Sequence, residues 1–142
     1  MAGIVALLAA VVLTVAVAWA LKIRNGRFSD RSPQTDAQVL AAADIGAELG
    51  ERATLVQFSS AFCSPCRATR VLLNDIAAKV DGVVAVDIDA EEHLGLVRRF
   101  GIMRTPTVLV LDTDGVVTTR ASGLPRREQV LAALGQAVGD PR

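Results

Sequence analysis

The stretch SSAFCSPCRATR, residues 59–70, contains both cysteines of the chain, Cys63 and Cys66. An apolar run at residues 53–60 precedes it and predicts a buried strand. Residues 64–80 then carry apolar side chains at helical spacing. The two thiols are therefore predicted to lie where a strand ends and a helix begins.

Three uses of the cysteine pair are open at this point. A structural metal site needs four ligands, but the chain has two cysteines and one histidine, His93, so a second chain would have to complete it. Two inert core cysteines are possible because free cysteine is often buried, although polar residues flank this pair. A redox couple is favoured physically, since a helix N-terminus stabilises the Cys63 thiolate and Pro65 is tolerated in a first helical turn.

The rest of the chain alternates between strand and helix patterns. After a short helix, the predicted order is β-α-β-α-β-β-α, which indicates an α/β fold. We expect a mixed sheet, parallel first and antiparallel at the end, with helices on both faces. The remaining predicted elements are helices at 42–50, 91–100 and 126–138 and strands at 82–89, 106–112 and 116–122.

Three motifs, in this order, resemble the thioredoxin family. FCSPCR, residues 62–67, is similar to the family's Trp-Cys-Gly-Pro-Cys-Lys active site. MRTPTVLVL, residues 103–111, is similar to the loop that carries the family's cis-proline. SGLP, residues 122–125, supplies Gly123, which matches the glycine after the family's hairpin. The resemblance covers roughly residues 39–138 and implies a thioredoxin-like fold.

The resemblance implies a thiol–disulfide oxidoreductase that acts on protein dithiols and disulfides. Cys63 and Cys66 would form the redox-active disulfide, with Cys63 as the nucleophile and Cys66 as the resolving thiol. Thr105 and Pro106 would face Cys63, the backbone of Thr105 would pair with the extended backbone of the substrate, and Gly123 would lie on the same substrate-binding surface. No prosthetic group or metal is expected, because the cysteines themselves carry the electrons.

The sequence departs from the family pattern at a buried charge pair. Gln57 stands where the family has a buried aspartate, and Ala85 stands where it has a lysine on the next strand. Glutamine does not titrate, so we expect water to accept the proton of Cys66, or that step to be slower.

The residues around the cysteines also differ. Ser59 and Phe62 replace the family's two tryptophans, and Phe62 keeps a flat apolar surface beside Cys63. Arg67 replaces the usual lysine and is expected to add positive potential. Ser64-Pro65 is close to the family's Gly-Pro, which favours a reductant.

The N-terminal segment AGIVALLAAVVLTVAVAWAL, residues 2–21, has no charge. As a helix it would be roughly 30 Å long, which matches a bilayer core. We predict an uncleaved transmembrane anchor at 2–21, a juxtamembrane linker at 22–35 and a thioredoxin-like domain at 36–142. A cleaved signal peptide, ending near residues 18–20, would make the protein secreted, but the run is long and no Lys or Arg precedes it.

Charge predicts the orientation of the anchor. Lys22, Arg24, Arg27 and Arg31 follow the span, against one acid, Asp30. The positive-inside rule therefore places the domain in the cytoplasm, and these cations also suit contact with anionic lipid headgroups. From residue 36 onward, eleven basic and fourteen acidic residues give a net charge of about −3, and nothing there indicates a nucleic-acid surface.

The predicted function is a membrane-tethered thiol–disulfide oxidoreductase, a reductant whose partners are membrane-associated proteins. Two other functions are left open. One is a binding or scaffolding module whose disulfide is structural. The other is an extracytoplasmic thiol reductase that prepares apocytochromes for cytochrome maturation, which the charge distribution opposes.

Overall fold

The computed structural model describes residues 1–24, 26–30 and 38–139. The part of the predicted linker beyond residue 30, together with both ends of the predicted domain, lies outside these residues. The helices are α1 (Ala2–Arg24), α2 (Ala42–Ile45), α3 (Ser64–Lys79), α4 (Leu94–Arg99) and α5 (Arg127–Gly139), and the strands are β1 (Phe28–Asp30), β2 (Ala53–Ser59), β3 (Val83–Asp89), β4 (Thr107–Leu111) and β5 (Val117–Ser122).

The strands form one mixed sheet in the order β1-β5-β4-β2-β3. Strand β2 runs parallel to β3 and antiparallel to β4, and β4 and β5 form the antiparallel hairpin. The predicted mixed sheet, parallel first and antiparallel at the end, is therefore confirmed.

Helices cover both faces of the sheet, as predicted. Helices α3 and α5 bury Leu73, Ile76 and Leu134 against one face. Helices α2 and α4 lie on the other face, where Ile45 and Phe100 join the second core cluster. All seven residues of β2 are buried, because this strand has a neighbour on each side and helices above and below.

Helix α4 is shorter than the predicted helix at 91–100. The Asp89 carboxylate accepts a hydrogen bond from the Glu91 backbone N–H at 2.8 Å, and the backbone oxygen of Asp89 lies 3.0 Å from His93 Nδ1. These local bonds hold a turn after β3, and a side chain that satisfies the backbone in this way competes with helix formation. The helix therefore begins at Leu94.

Strand β1 lies within the predicted linker, at residues 28–30. It pairs antiparallel with β5, where Phe28 lies opposite Ala121. The sequence did not predict this strand, because three residues are too few to establish an alternating pattern. The division of the chain into anchor, linker and domain stays a prediction.

Helix α1, with 23 residues, is long and apolar enough to cross a membrane. None of its residues is buried against the rest of the described chain. A signal sequence near an N-terminus can also be this long and this apolar, so the helix is compatible with either role.

The Asp75 carboxylate joins α3 to α5. It pairs with Lys79 one turn later, at 2.9 Å, and accepts a hydrogen bond from Arg127 of α5. The hydrogen bonds from Lys79 and then Arg127 lower the pKa of Asp75 from its ordinary value of 3.8. Because the pKa is lowered in the folded state, the ionised carboxylate stabilises the fold at neutral pH.

We expect Asp75→Asn to lower the midpoint of thermal unfolding at pH 7 by a few degrees at most, because the pairs are exposed. The difference from wild type should shrink as the pH falls below 3.8 and vanish once Asp75 is protonated in the folded protein. Circular dichroism melts of the full chain in detergent at a series of pH values measure this. A difference in unfolding midpoint that does not change with pH would contradict the stabilising role assigned to the ionised Asp75 carboxylate.

Candidate active site

The two cysteines lie at the junction of β2 and α3. Cys63 is the N-cap of α3, with extended backbone angles, and Pro65 lies in the first turn. The missing N–H of proline costs nothing there, since first-turn N–H groups have no partner within the helix. Cys63 therefore lies at the N-terminus of α3, where the helix dipole favours a thiolate over a thiol, although its side chain accepts no capping hydrogen bond.

Cys63 and Cys66 are joined in a disulfide, with an S–S distance of 1.99 Å and a Cα–Cα distance of 5.3 Å. Cys66 is 1% exposed, whereas Cys63 is half-buried. The sulfur at the helix start is thus the one that a partner molecule reaches first, and the second sulfur is protected behind it.

Gln57 holds the main chain of the second cysteine. Its side chain is 1% exposed, and Nε2 donates a hydrogen bond to the Cys66 carbonyl oxygen at 3.0 Å. The acceptor is a carbonyl, so the donor must be the amide nitrogen, and this identifies Oε1 as the other atom. Oε1 is buried with no hydrogen-bond partner among the described residues. Ala85, on the neighbouring strand, supplies no charge here.

The Thr105–Pro106 peptide bond is cis, as the resemblance predicts. The Thr105 hydroxyl lies 3.1 Å from the Ser60 hydroxyl, and the Ser60 backbone carbonyl oxygen accepts a hydrogen bond from the Cys63 backbone N–H. The structure therefore brings the Thr-Pro loop to the turn that carries the cysteines, forty residues away in the sequence. The Gly123 N–H donates to the Pro106 carbonyl oxygen at 2.7 Å, which joins the third motif to the same loop.

Three polar side chains beside the cysteines form a cluster that the sequence did not predict. Asp87 Oδ2 accepts hydrogen bonds from the Ser59 hydroxyl at 3.1 Å and from Arg70 at 3.1 Å and 2.6 Å. Asp87 is the register partner of Gln57. The sequence signal for this cluster was Asp87 itself, an acid inside the predicted strand at 82–89. A carboxylate in a strand of this kind is expected to have a partner.

An open groove of about 620 Å³ lies beside the disulfide and is lined by both cysteines and by the Asp87 cluster. Phe62 is fully exposed at its edge, so its ring is available to a partner. Ser64, Pro65 and Arg67 are exposed in the first turn of α3.

A family model described as Thioredoxin matches residues 38–136, which is more than half of the chain. The chain belongs to the thioredoxin family. With the cis-proline loop at the cysteines, a thioredoxin domain of this kind indicates thiol–disulfide oxidoreductase activity.

Individual thioredoxins are similar over most of their length. The chain is 23% identical over 99 residues to thioredoxin from Chlamydia caviae, covering 70% of this chain and 96% of that protein. It is 32% identical over 90 residues to thioredoxin from Alicyclobacillus acidocaldarius, covering 63% and 85%. It is 32% identical over 100 residues to human thioredoxin domain-containing protein 2, covering 68% of this chain but 18% of that protein.

Solved structures agree on the fold. A reduced thioredoxin pre-protein from Schistosoma mansoni superposes with a TM-score of 0.54 and 18% identity, covering 63% of this chain and 82% of that one. At this identity the likeness establishes the fold alone.

We expect Gln57→Leu to lower the free energy of unfolding by about 0.5–1.5 kcal/mol, because the Cys66 carbonyl loses its side-chain donor while the partnerless Oε1 atom is removed as well. Urea unfolding of the full chain in detergent measures this. Gln136→Leu is the matched control, since Gln136 is exposed on α5, and should change stability by about 0.5 kcal/mol or less. Equal losses in both variants would contradict the role assigned to Gln57.

Proposed function

We propose that the protein is a membrane-tethered thiol–disulfide oxidoreductase that reduces disulfides of membrane-associated proteins. The observation that supports this best is the pair of cysteines at the start of α3, one half-buried and one 1% exposed. Attack by an accessible thiolate followed by resolution from a protected thiol requires this asymmetry.

The reaction begins with the reduced dithiol. The Cys63 thiolate attacks one sulfur of the substrate disulfide, forms a mixed disulfide and releases the other substrate sulfur as a thiolate. Cys66 then attacks Cys63 Sγ, which forms the Cys63–Cys66 disulfide and releases the second substrate sulfur. Two electrons pass from the protein to the substrate, whose sulfurs take up two protons, and another dithiol must re-reduce the pair.

The cis-proline loop would position the substrate. Thr105 would pair its backbone with the extended substrate chain beside Pro106, with Gly123 on the same surface. The exposed Phe62 ring would supply apolar contact, and Arg67 would add positive potential near the Cys63 thiolate.

Proton transfer from Cys66 would differ from that in relatives with a buried aspartate. Gln57 cannot accept the proton, and the nearby Asp87 carboxylate is engaged by Ser59 and Arg70. Water entering through the groove is then the acceptor for the Cys66 thiol.

The tether would confine the domain to a membrane surface. With residues 2–21 as the anchor and residues 36–142 as the domain, membrane-bound partners are held at a high effective concentration. The cations after the span favour the cytoplasmic side, where thiols are kept reduced, and this agrees with a reductant.

We expect Cys66→Ser to trap mixed disulfides between Cys63 and membrane proteins, because the resolving attack is removed. Cells that express the full chain are acid-quenched, and complexes are identified by non-reducing electrophoresis and mass spectrometry. The Cys63→Ser/Cys66→Ser double variant is the control and should trap nothing. If Cys66→Ser also traps nothing and leaves the phenotype unchanged, the pair is a structural staple and the domain is a scaffold.

We expect removal of residues 1–24 to reduce complementation of a deletion strain, because partners at the membrane are no longer concentrated around the domain. Full complementation by the truncated protein would contradict the tether. A reporter fused to the C-terminus of the intact chain measures the side of the membrane. A cytoplasmic signal is expected, and an extracytoplasmic signal would favour the apocytochrome reductase instead.

A further inference from the structure

A basic groove lies between the end of α1 and the edge of the sheet, and its cavity volume is about 800 Å³. Its five cations come from two distant parts of the sequence. Three follow the apolar helix, and two come from the domain, before the cis-proline and on β5. The basic groove is lined by Lys22, Arg24, Arg27, Arg104 and Arg120.

Backbone pairing fixes the position of this groove. The Gly26 N–H donates to the Ser122 carbonyl oxygen at 2.7 Å, and Phe28 pairs with Ala121 immediately afterwards. Gly26 has a φ of 75°, and a Cβ at this position would collide with the carbonyl oxygen of Leu124. The chain leaving α1 is therefore held against β5, which brings the juxtamembrane cations to the arginines of the domain.

The charge of the groove is of one sign. No acidic residue is among the described residues that line it. Arg120 is half-buried, and its Nη2 donates to the Phe100 carbonyl oxygen at 2.9 Å, which holds the guanidinium in place. An anion placed in the cavity would lie close to the cations that line it and would be attracted to them.

We propose that the basic groove binds the phosphate-bearing headgroups of anionic lipids. The groove lies at the end of the apolar helix, where the headgroups of a spanned bilayer would be, so the inference rests on the membrane anchoring proposed above. Guanidinium groups match phosphate oxygens in charge and in bidentate geometry. Basic residues next to a membrane are also drawn to an anionic leaflet.

Headgroup binding would orient the domain as well as attach it. Arg104 directly precedes Thr105 and the cis-proline, and the Thr105 hydroxyl contacts Ser60 of the cysteine turn. A headgroup held by Arg104 thus keeps the substrate loop near the bilayer surface.

Native mass spectrometry of the full chain released from detergent micelles tests the proposal. The probes are phosphatidylglycerol and phosphatidylcholine, titrated separately. Wild type should bind phosphatidylglycerol more tightly than phosphatidylcholine. The Arg27→Gln/Arg104→Gln variant should weaken phosphatidylglycerol binding by about thirtyfold, about fivefold for each cation removed.

A matched double variant removes the same charge elsewhere. Lys79→Gln/Arg98→Gln alters two exposed cations outside the groove and should change phosphatidylglycerol binding by less than about twofold. Arg27→Lys/Arg104→Lys keeps the charge and loses only the bidentate geometry, so it should weaken phosphatidylglycerol binding less than the glutamine variant does. Circular dichroism confirms that each variant is folded. Equal weakening by both charge-removing variants would overturn the proposal.

Two further measurements distinguish a failure of the headgroup proposal from a failure of the proposed membrane tether. If the wild-type chain binds both lipids equally, or if inorganic phosphate binds as tightly as phosphatidylglycerol, the groove is not a headgroup site. Membrane flotation of the wild-type chain is measured in parallel. Flotation without a lipid preference overturns this inference alone, whereas a chain that does not float overturns the proposed tether.

Discussion

Strand β2 pairs with β3 on one side and with β4 on the other, and the rest of the domain is arranged around this central pairing. All of its residues are buried, so neither its register nor its direction can change without exposing apolar side chains to water. The C-terminal end of β2 therefore has a fixed position in the sheet. The chain leaves the strand at Ser60 and turns into α3, and this turn determines where Cys63 and Cys66 lie.

The parallel partner β3 and the antiparallel partner β4 supply the surroundings of the cysteines. Because β3 is parallel, its C-terminal half lies beside the C-terminal half of β2, and this places Asp87 next to Gln57. Because β4 is antiparallel, its first residues meet the end of β2, which brings the cis-proline loop to the cysteine turn. The same strand pairings would bring these positions together in any protein with this sheet, but the side chains at these positions in this chain differ from the family pattern. A neutral amide holds Cys66, and the Asp87 carboxylate beside it is bound to an arginine.

The edge strand β1 connects the domain to the apolar helix. Three residues of β1 add to β5, and Gly26 allows the close approach that this pairing needs. A flexible linker would leave the domain free to rotate above a membrane, whereas a paired edge strand restricts it. The basic groove arises from this restriction, and it connects the proposed lipid contact with the loop that carries Thr105 and Pro106.

The sequence by itself determined the order of strands and helices from residue 42 onward, the cysteine pair at a helix start and the apolar helix, because each depends on residues close together along the chain. The alternation of these strands and helices also predicted the mixed sheet. The sequence also located Thr105 and Pro106, since the motif around them resembles a known family. Only the tertiary structure decided that Ser59, Asp87 and Arg70 meet beside the cysteines, that residues 28–30 pair with β5, and that Arg104 and Arg120 join the cations after α1. These contacts depend on strand register and on the path between elements, and a local pattern of polar and apolar residues carries no information about either.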